Sequence, residues 1–349
     1  MNLYLCKRKD IPYMVTLKDV ANTLGLSVST ISRVLNEPGF GSEKTRVKVL
    51  KAIEELGYTP NTVAQSMIRG KTNQIALVIP DVCNPFYTSI ARGVEDVCLK
   101  NKYRLLLCNT DENTAKQNGY LDSIRGHLCD GFVISVVSEE DTSLNKINYN
   151  DIPFVMISRK CSSVEADFVG IDDHYGAYRA TTHLIRRGHR KIATICGKQD
   201  TYPGRMRLKG YLDALKDQGI EENESYIINC DFTVESAHRA AHELLRLETP
   251  PTAIFVANNL MTLGCLTYLK EHNIKVPEEI SVVAFYEPDW ASICYSPLTC
   301  VDVSAYEMGT IAAELLFERL EDASFPKKEI LLTPELTVRE SCGGPVPRG

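Results

Sequence analysis

The sequence predicts two unlike parts in one chain: a small all-α unit over residues 14–60, then an α/β core with room for two lobes, each a doubly wound parallel sheet. Three observations carry this. Apolar residues recur at helical spacing between Leu17 and Leu56. From residue 74 onward, continuous apolar runs alternate with amphipathic stretches, the pattern of buried parallel strands joined by helices. Charge divides at the same place: residues 1–71 hold eleven Lys and Arg against six Asp and Glu, a net of +5, so the remainder carries −11 of the total −6.

The first helix is LKDVANTL, with Leu17, Val20, Ala21 and Leu24 on one face. Gly25 interrupts it, Ser27 caps SVSTISRVLN, and that second helix buries Ile31, Val34 and Leu35. Ser42 caps a third, striped by Val49, Leu50, Ile53 and Leu56. Three short helices with a tight glycine turn between the first two match a helix-turn-helix layout. A bundle of three small helices with no nucleic-acid partner is the alternative, and the basic head with short polar residues opening the second helix favours DNA. Residues 61–72 follow, in which Asn61 can cap a helix of about eight residues stopped by Gly70, too short to be stable alone; an ordinary interdomain linker is the alternative.

In the body, strands are expected at 75–80, 103–109, 131–136, 153–158, 191–196, 252–257 and 280–285. Helices are expected at 85–100, 113–126, 174–187, 207–218, 234–246, 258–272 and 304–320. One seven-stranded sheet or two similar sheets would satisfy this pattern, and two lobes would leave a cleft beyond the carboxyl ends of the strands. Residues 1–13 are expected to form a disordered arm or to precede the true start, and 343–349 an unstructured tail.

Length and composition exclude much. At 349 residues the chain exceeds a single core of about 150 residues. With 44% apolar and 24% charged residues it is an ordinary folded chain. No signal-peptide core and no run long enough to span a bilayer are visible, so a cytoplasmic location is expected. Twelve cysteines from Cys6 to Cys342 lack metal spacing and are read as free thiols. Glycine-rich phosphate loops, nucleophile elbows and zinc-protease motifs are absent, so neither a cofactor nor an enzyme is expected. His238 and His242, four apart, are taken as surface residues. Asp172, Asp173, Asp111 and Glu112 are taken as helix caps.

Polar residues ending the strands are the better site candidates: Asp81, Asn84, Ser158, Arg159, Asn258, Asn259, Tyr286 and Glu287, with Phe86 and Tyr87 beside them. Amides, aromatic rings and an arginine suit a small polar ligand more than bond-breaking chemistry.

The stretches VTLKDVANTLGLSVSTISRVLN, SEKTRVKVLKAIEELGYTPNTVAQSM, IALVIPDVCNPFYTSIARGVED, FVGIDDHYGAYRATTHLIRRGHRKIATICG, RMRLKGYLDAL, PTAIFVANNLMTLG, EEISVVAF and SPLTCVDVSAYEMG resemble, in order, the LacI/GalR family of transcriptional regulators. The resemblance spans residues 14–342. It implies a DNA-binding head, a hinge helix, and a periplasmic-binding-protein-like effector and dimerisation domain over 73–342. The chain of that domain would cross three times between an N-lobe (73–172 and 303–334) and a C-lobe (173–302 and 335–342).

Matched to the family's positions, Val28, Ser29 and Arg33 read bases in the major groove. Thr16, Ser27, Thr30, Ser32 and Asn36 hold the backbone. Ala64 and Met67 enter the minor groove, Met67 standing where the family usually has Leu. Phe86, Tyr87, Arg207 and Asn258 match effector-contacting positions. Ser158 and Tyr286 stand where many sugar-binding members have Asp. A cleft less negative than theirs is therefore expected, favouring a sugar acid or phosphosugar held by Arg207 and Arg159. The alternative is that Asp81 or Glu287 restores binding of a neutral sugar.

The resemblance implies a homodimeric, sequence-specific regulator, expected to act as a repressor, that binds a palindromic operator under the control of a sugar-like effector. A transport solute-binding protein would lack the basic head. An enzyme would need a nucleophile, metal or cofactor signature.

Overall fold

The computed structural model describes residues 15–37, 39–59, 70–147, 151–322 and 324–345, and the chain divides at Thr72 into two units. Asn61, Ala64 and Met67 of the expected hinge, and the expected arm over 1–13, lie outside the described residues.

In the first unit, α1 (Leu17–Leu24), α2 (Val28–Asn36) and α3 (Glu43–Leu56) each begin at a hydroxyl residue. Thr16, Ser27 and Ser42 accept the backbone N–H of Asp19, Thr30 and Thr45, satisfying donors that a helix start otherwise leaves orphaned. Gly25 ends α1 at φ 65°, a left-handed backbone that costs glycine little, and so sets up the short turn into α2. Val20, Ala21, Ile31, Val34, Val49 and Ala52 form the core. Leu50, assigned above to the buried stripe of α3, is 48% exposed. The stripe runs through positions 49, 52, 53 and 56, and residue 50 falls off it.

In the second unit, β1 (Gln74–Ile79), β2 (Arg104–Asn109), β3 (Gly131–Ile134), β4 (Phe154–Ile157), β5 (Asp167–Ile171) and β11 (Glu329–Leu332) form one parallel sheet in the order β11-β5-β4-β3-β1-β2. A second sheet takes β6 (Ile192–Cys196), β7 (Ile227–Asn229), β8 (Ala253–Val256), β9 (Ser281–Phe285), β10 (Thr299–Asp302) and β12 (Glu335–Thr337) in the order β12-β10-β9-β8-β6-β7. All its pairings are parallel except that of β12 with β10. Helices α4 (Pro85–Lys100), α5 (Thr114–Arg125) and α10 (Ala305–Glu321) belong to the first lobe. Helices α6 (Asp173–Arg186), α7 (Tyr202–Asp217), α8 (Val234–Leu245) and α9 (Asn259–Glu271) belong to the second. Pairs α4/α10, α6/α7 and α8/α9 pack closely. The chain passes between lobes three times, after β5, after β10 and after β11, each time through only one or two residues.

Two sheets therefore replace the single-sheet alternative, and strands β5, β7, β10, β11 and β12 add to the seven expected. Helix α7 starts at Tyr202 rather than 207, because Thr201 caps it and Pro203 occupies its first turn, where a missing N–H costs nothing. Gly343, where the unstructured tail was expected to begin, donates its N–H to Ser281 Oγ, and its carbonyl lies 3.1 Å from His189 Nε2. Buried His189 and Ser281 thus find partners in the tail.

One buried ion pair in the first lobe helps place β11 beside β5. Arg319 of α10 donates to both carboxylate oxygens of Asp167 (2.5 and 2.9 Å) and to the carbonyls of Phe325 and Pro326. The Lys328 N–H also reaches Asp167 at 2.7 Å, which aligns β11 beside β5. Asp167→Asn is expected to destabilise the protein by about 3–5 kcal/mol in urea unfolding, because it leaves a buried guanidinium without its counter-charge. Glu318→Gln, which breaks only the exposed pair with Lys328, should cost under about 1 kcal/mol.

Candidate functional site

Helix α2 presents one face to solvent. Val28 is 44% exposed, Ser29, Arg33 and Asn36 are exposed, and Ser32 is half-buried. Thr16 and Ser27 are engaged as caps: Thr16 forms a reciprocal pair with Asp19, and Ser27 Oγ lies 2.8 Å from both Ser29 Oγ and Thr30 Oγ1. Asn36 Nδ2 donates to the Ser32 carbonyl at 2.7 Å. Arg33 is turned along its own helix, its Nε donating to both oxygens of Glu37 (3.1 and 3.2 Å), with its guanidinium 4.3 Å from the Phe40 ring centre. Neither Glu37 nor Phe40 is anticipated by sequence as a neighbour of this base-reading candidate.

Between the two lobes of the body lies a cavity of about 350 Å3 at the carboxyl ends of the strands. Phe86, Tyr87, Ser158, Arg159, Arg207, Asn258 and Tyr286, all anticipated, line it together. Its aromatic wall is built by edge-to-face packing, with the Phe86 ring 5.2 Å from Tyr87 and 5.1 Å from Tyr286. Asn258 spends its side-chain carbonyl on capping α9 through Met261 N–H, leaving its amide group for a ligand. Glu287 leaves the cavity and pairs with Arg339 at 2.5 Å.

The backbone around this cavity is strained. Asp111, Glu112, Ser158, Phe232 and Tyr286 all have φ between 51° and 72°, a region non-glycine residues avoid, and all five line the cavity. At Ser158 the turn is as tight as a chain permits, since Arg159 N–H donates to the Ile157 carbonyl at 2.6 Å. Each of these residues follows a strand and is turned toward the cleft instead of continuing the pleat. Phe232 also needs a bare neighbour: a Cβ on Gly197 would meet its ring at 1.9 Å.

Both arginines have carboxylate partners, Glu112 and Asp173, that the sequence presents as helix caps. Arg159 forms a two-pronged pair with Glu112 (2.9 and 2.7 Å) and stands 5.2 Å from the Phe232 ring. Arg207 donates to Asp173 at 2.7 Å and to the Ala257 carbonyl at 2.6 Å, over the Phe285 ring. Burial pushes the Glu112 carboxyl up, but Arg159 and Lys198 outweigh it and hold it below the usual carboxylate range. Burial likewise raises Asp173, and there Arg207 only partly offsets it. Five carboxylates (Asp81, Asp111, Glu112, Asp231 and Glu235) line the cavity against two guanidiniums. Both cations on which the expectation of an anion-favouring cleft rests, Arg159 and Arg207, are already paired.

Several contacts join the lobes across this cleft. Asn259 Nδ2 donates to Asn84 Oδ1 at 2.8 Å, and Lys198 lies 3.4 Å from Glu112. Arg205 grips Glu139 at 2.7 and 3.2 Å, while the Glu139 N–H donates to the Asp200 carbonyl at 2.8 Å.

A helix-turn-helix head and a two-lobed body with a cleft at strand ends have counterparts among known proteins. Residues 16–61 match the description "Bacterial regulatory proteins, lacI family", and residues 181–342 match "Periplasmic binding protein-like domain". The chain is 34% identical to the HTH-type transcriptional repressor PurR of Photobacterium profundum, covering 94% of this chain and 98% of that one. It belongs to the LacI family. Another relative, the HTH-type transcriptional regulator DegA of Bacillus subtilis, is 35% identical over 93% of this chain and 97% of its own. A solved structure described as a transcriptional regulator CelR-cellobiose complex superposes with a TM-score of 0.73 at 32% identity, covering 94% of this chain and 99% of that one. As a LacI-family member the protein is a DNA-binding transcriptional regulator and not an enzyme. No helix among the described residues is long and apolar enough to cross a membrane.

Three substitutions test the assignments. Arg33→Ala should cost about 1–3 kcal/mol on the cognate operator and relax selectivity at one base pair, whereas Lys44→Ala should weaken all DNA alike. Fluorescence anisotropy on cognate and scrambled duplexes separates them, and equal weakening of both by Arg33→Ala would reject the base-reading role. Gly197→Ala should displace the Phe232 ring and weaken effector binding at least about 10-fold in calorimetry, since even a small misplacement in a preformed pocket is costly.

Proposed function

We propose that this LacI-family regulator is a cytoplasmic, homodimeric repressor of a palindromic operator, controlled by a neutral, polyhydroxylated effector, a sugar or sugar derivative, bound in the cleft. The observation that carries the effector class is the pairing of both cleft arginines with carboxylates inside an aromatic-walled cavity. Such a site offers flat apolar faces to a ring, hydrogen-bond donors without net positive charge, and carboxylates at Asp81, Asp231 and Glu235 along the wall for hydroxyl donors. Sugar acids and phosphosugars suit it less. The likeness to a protein solved with cellobiose supports the same class.

Val28, Ser29 and Arg33 would read the major groove, with Thr16, Ser27, Thr30, Ser32 and Asn36 on the backbone. Residues 61–72 would fold on the operator, with Ala64 and Met67 in the minor groove. Effector binding would change the lobe geometry and with it the affinity for DNA.

Exposed apolar residues support the dimer. In the first lobe, Leu99 of α4 and Leu107 of the edge strand β2 are 60% and 42% exposed; in the second, Ile293 and Tyr295 are 81% and 97% exposed. An edge strand carrying exposed leucine needs a covering partner.

Selection of bound duplexes from a random library, followed by anisotropy titration with a panel of neutral sugars, tests this reading. We expect enrichment of a palindrome, one dimer bound per site, and at least about a 10-fold change in affinity with one neutral sugar. Failure to enrich any symmetric sequence, or a monomer in sedimentation at micromolar concentration, would refute it.

A further inference from the structure

Arg159 is 4% exposed and lines the cavity, yet it is only partly satisfied. Its two terminal nitrogens are spent on Glu112, one of them also reaching the Val137 carbonyl at 3.4 Å. Its Nε is buried and has no acceptor among the described residues. A buried N–H left in this state costs free energy, and the charge of Arg159, which lines the cavity, is balanced by Glu112. Glu112 is equally constrained. It holds φ 55° directly after Asp111 at φ 51°, and its carboxylate faces Arg159 from its own lobe and Lys198 from the other.

We propose that Glu112 is a specificity-determining residue of the cleft: by neutralising Arg159 it removes the free positive charge that an anionic ligand would need, and so excludes anionic ligands. The proposal deepens the cleft reading given above and rests on it. Its chemistry follows from charge balance. With Glu112 in place, an incoming carboxylate or phosphate meets a paired guanidinium and a nearby carboxylate, and the second anion is repelled. With Glu112 neutral, the same guanidinium becomes a buried, uncompensated cation able to form a charge-assisted, two-pronged bond. The strained backbone at positions 111 and 112 is what sets the carboxylate against Arg159, and it explains why so tight a pair forms between residues 47 apart in sequence.

Glu112→Gln keeps the size and the hydrogen-bond acceptor but removes the charge. Full-length protein and variant are titrated calorimetrically with inorganic phosphate and with glucuronate against glucose, at one ionic strength. We expect the wild type to show no saturable anion binding, and Glu112→Gln to gain at least about a 10-fold preference for phosphate and glucuronate over glucose. The double variant Glu112→Gln/Arg159→Gln should lose that gain. Should Glu112→Gln misfold, Glu112→Ala is read in the same way, by anion-dependent rise in melting temperature. Saturable anion binding by the wild type, or no gain in either variant, would overturn the proposal. An anion gain with no response of operator binding to any sugar would instead leave the role of Glu112 standing and reject the effector assignment.

Discussion

A guanidinium buried between two lobes must be neutralised, and the cleft of this regulator is organised around meeting that demand at Arg159. The pair with Glu112 determines where a neighbouring chain segment turns, what charge the cavity shows a ligand, and which lysine of the opposite lobe finds a counter-ion. Removing one partner would leave an uncompensated charge in a dry site, so the pair behaves as a unit. Arg207 and Asp173 repeat the arrangement across the cleft. The two pairs let a ligand meet donors and acceptors without meeting net positive charge.

The two lobes are covalently joined only by three short crossings, and many of the contacts between them are polar and lie at the cleft: Asn84 with Asn259, Glu139 with Arg205, Glu112 with Lys198, beside the ring contact of Phe86 with Tyr286. Polar contacts of this kind exchange readily with water, so a ligand that adds to them or competes with them shifts the balance between closed and open forms by its own differential affinity. In the head, the exposed pair of Arg33 with Glu37 is weak by comparison, so under the proposed reading it would not hold the arginine back from a base.

How much of this is legible in the sequence depends on how local each signal is. The central strands β1, β3, β4, β6, β8 and β9 announce themselves as unbroken apolar runs, and the helix caps at Ser27 and Ser42 lie next to what they cap. β7, β11 and β12 do not, because each is a short edge strand with polar residues in it, and only the sheet beside it makes it a strand. Anticipated cleft residues Ser158, Arg159, Asn258 and Tyr286 sit just past strand ends, where the topology forces convergence, while Phe86, Tyr87 and Arg207 reach the same cleft from helices α4 and α7. Glu112 and Asp173 read as caps because a cap is a local fact, whereas their partners are 47 and 34 residues away. Phe232 carries no signal except Gly197, and nothing in one sequence links those two positions.

The five left-handed residues around the cavity bear on how such a protein changes over time. Glycine would occupy any of positions 111, 112, 158, 232 and 286 with less backbone strain than the residue present. At 111 and 158 glycine would relieve that strain at little cost in packing, whereas at 112, 232 and 286 it would also remove the counter-charge of Arg159 or a packed ring. Stability and responsiveness therefore pull in opposite directions only at 111 and 158, so a regulator hardened there would grow deaf to its signal while keeping its grip on DNA.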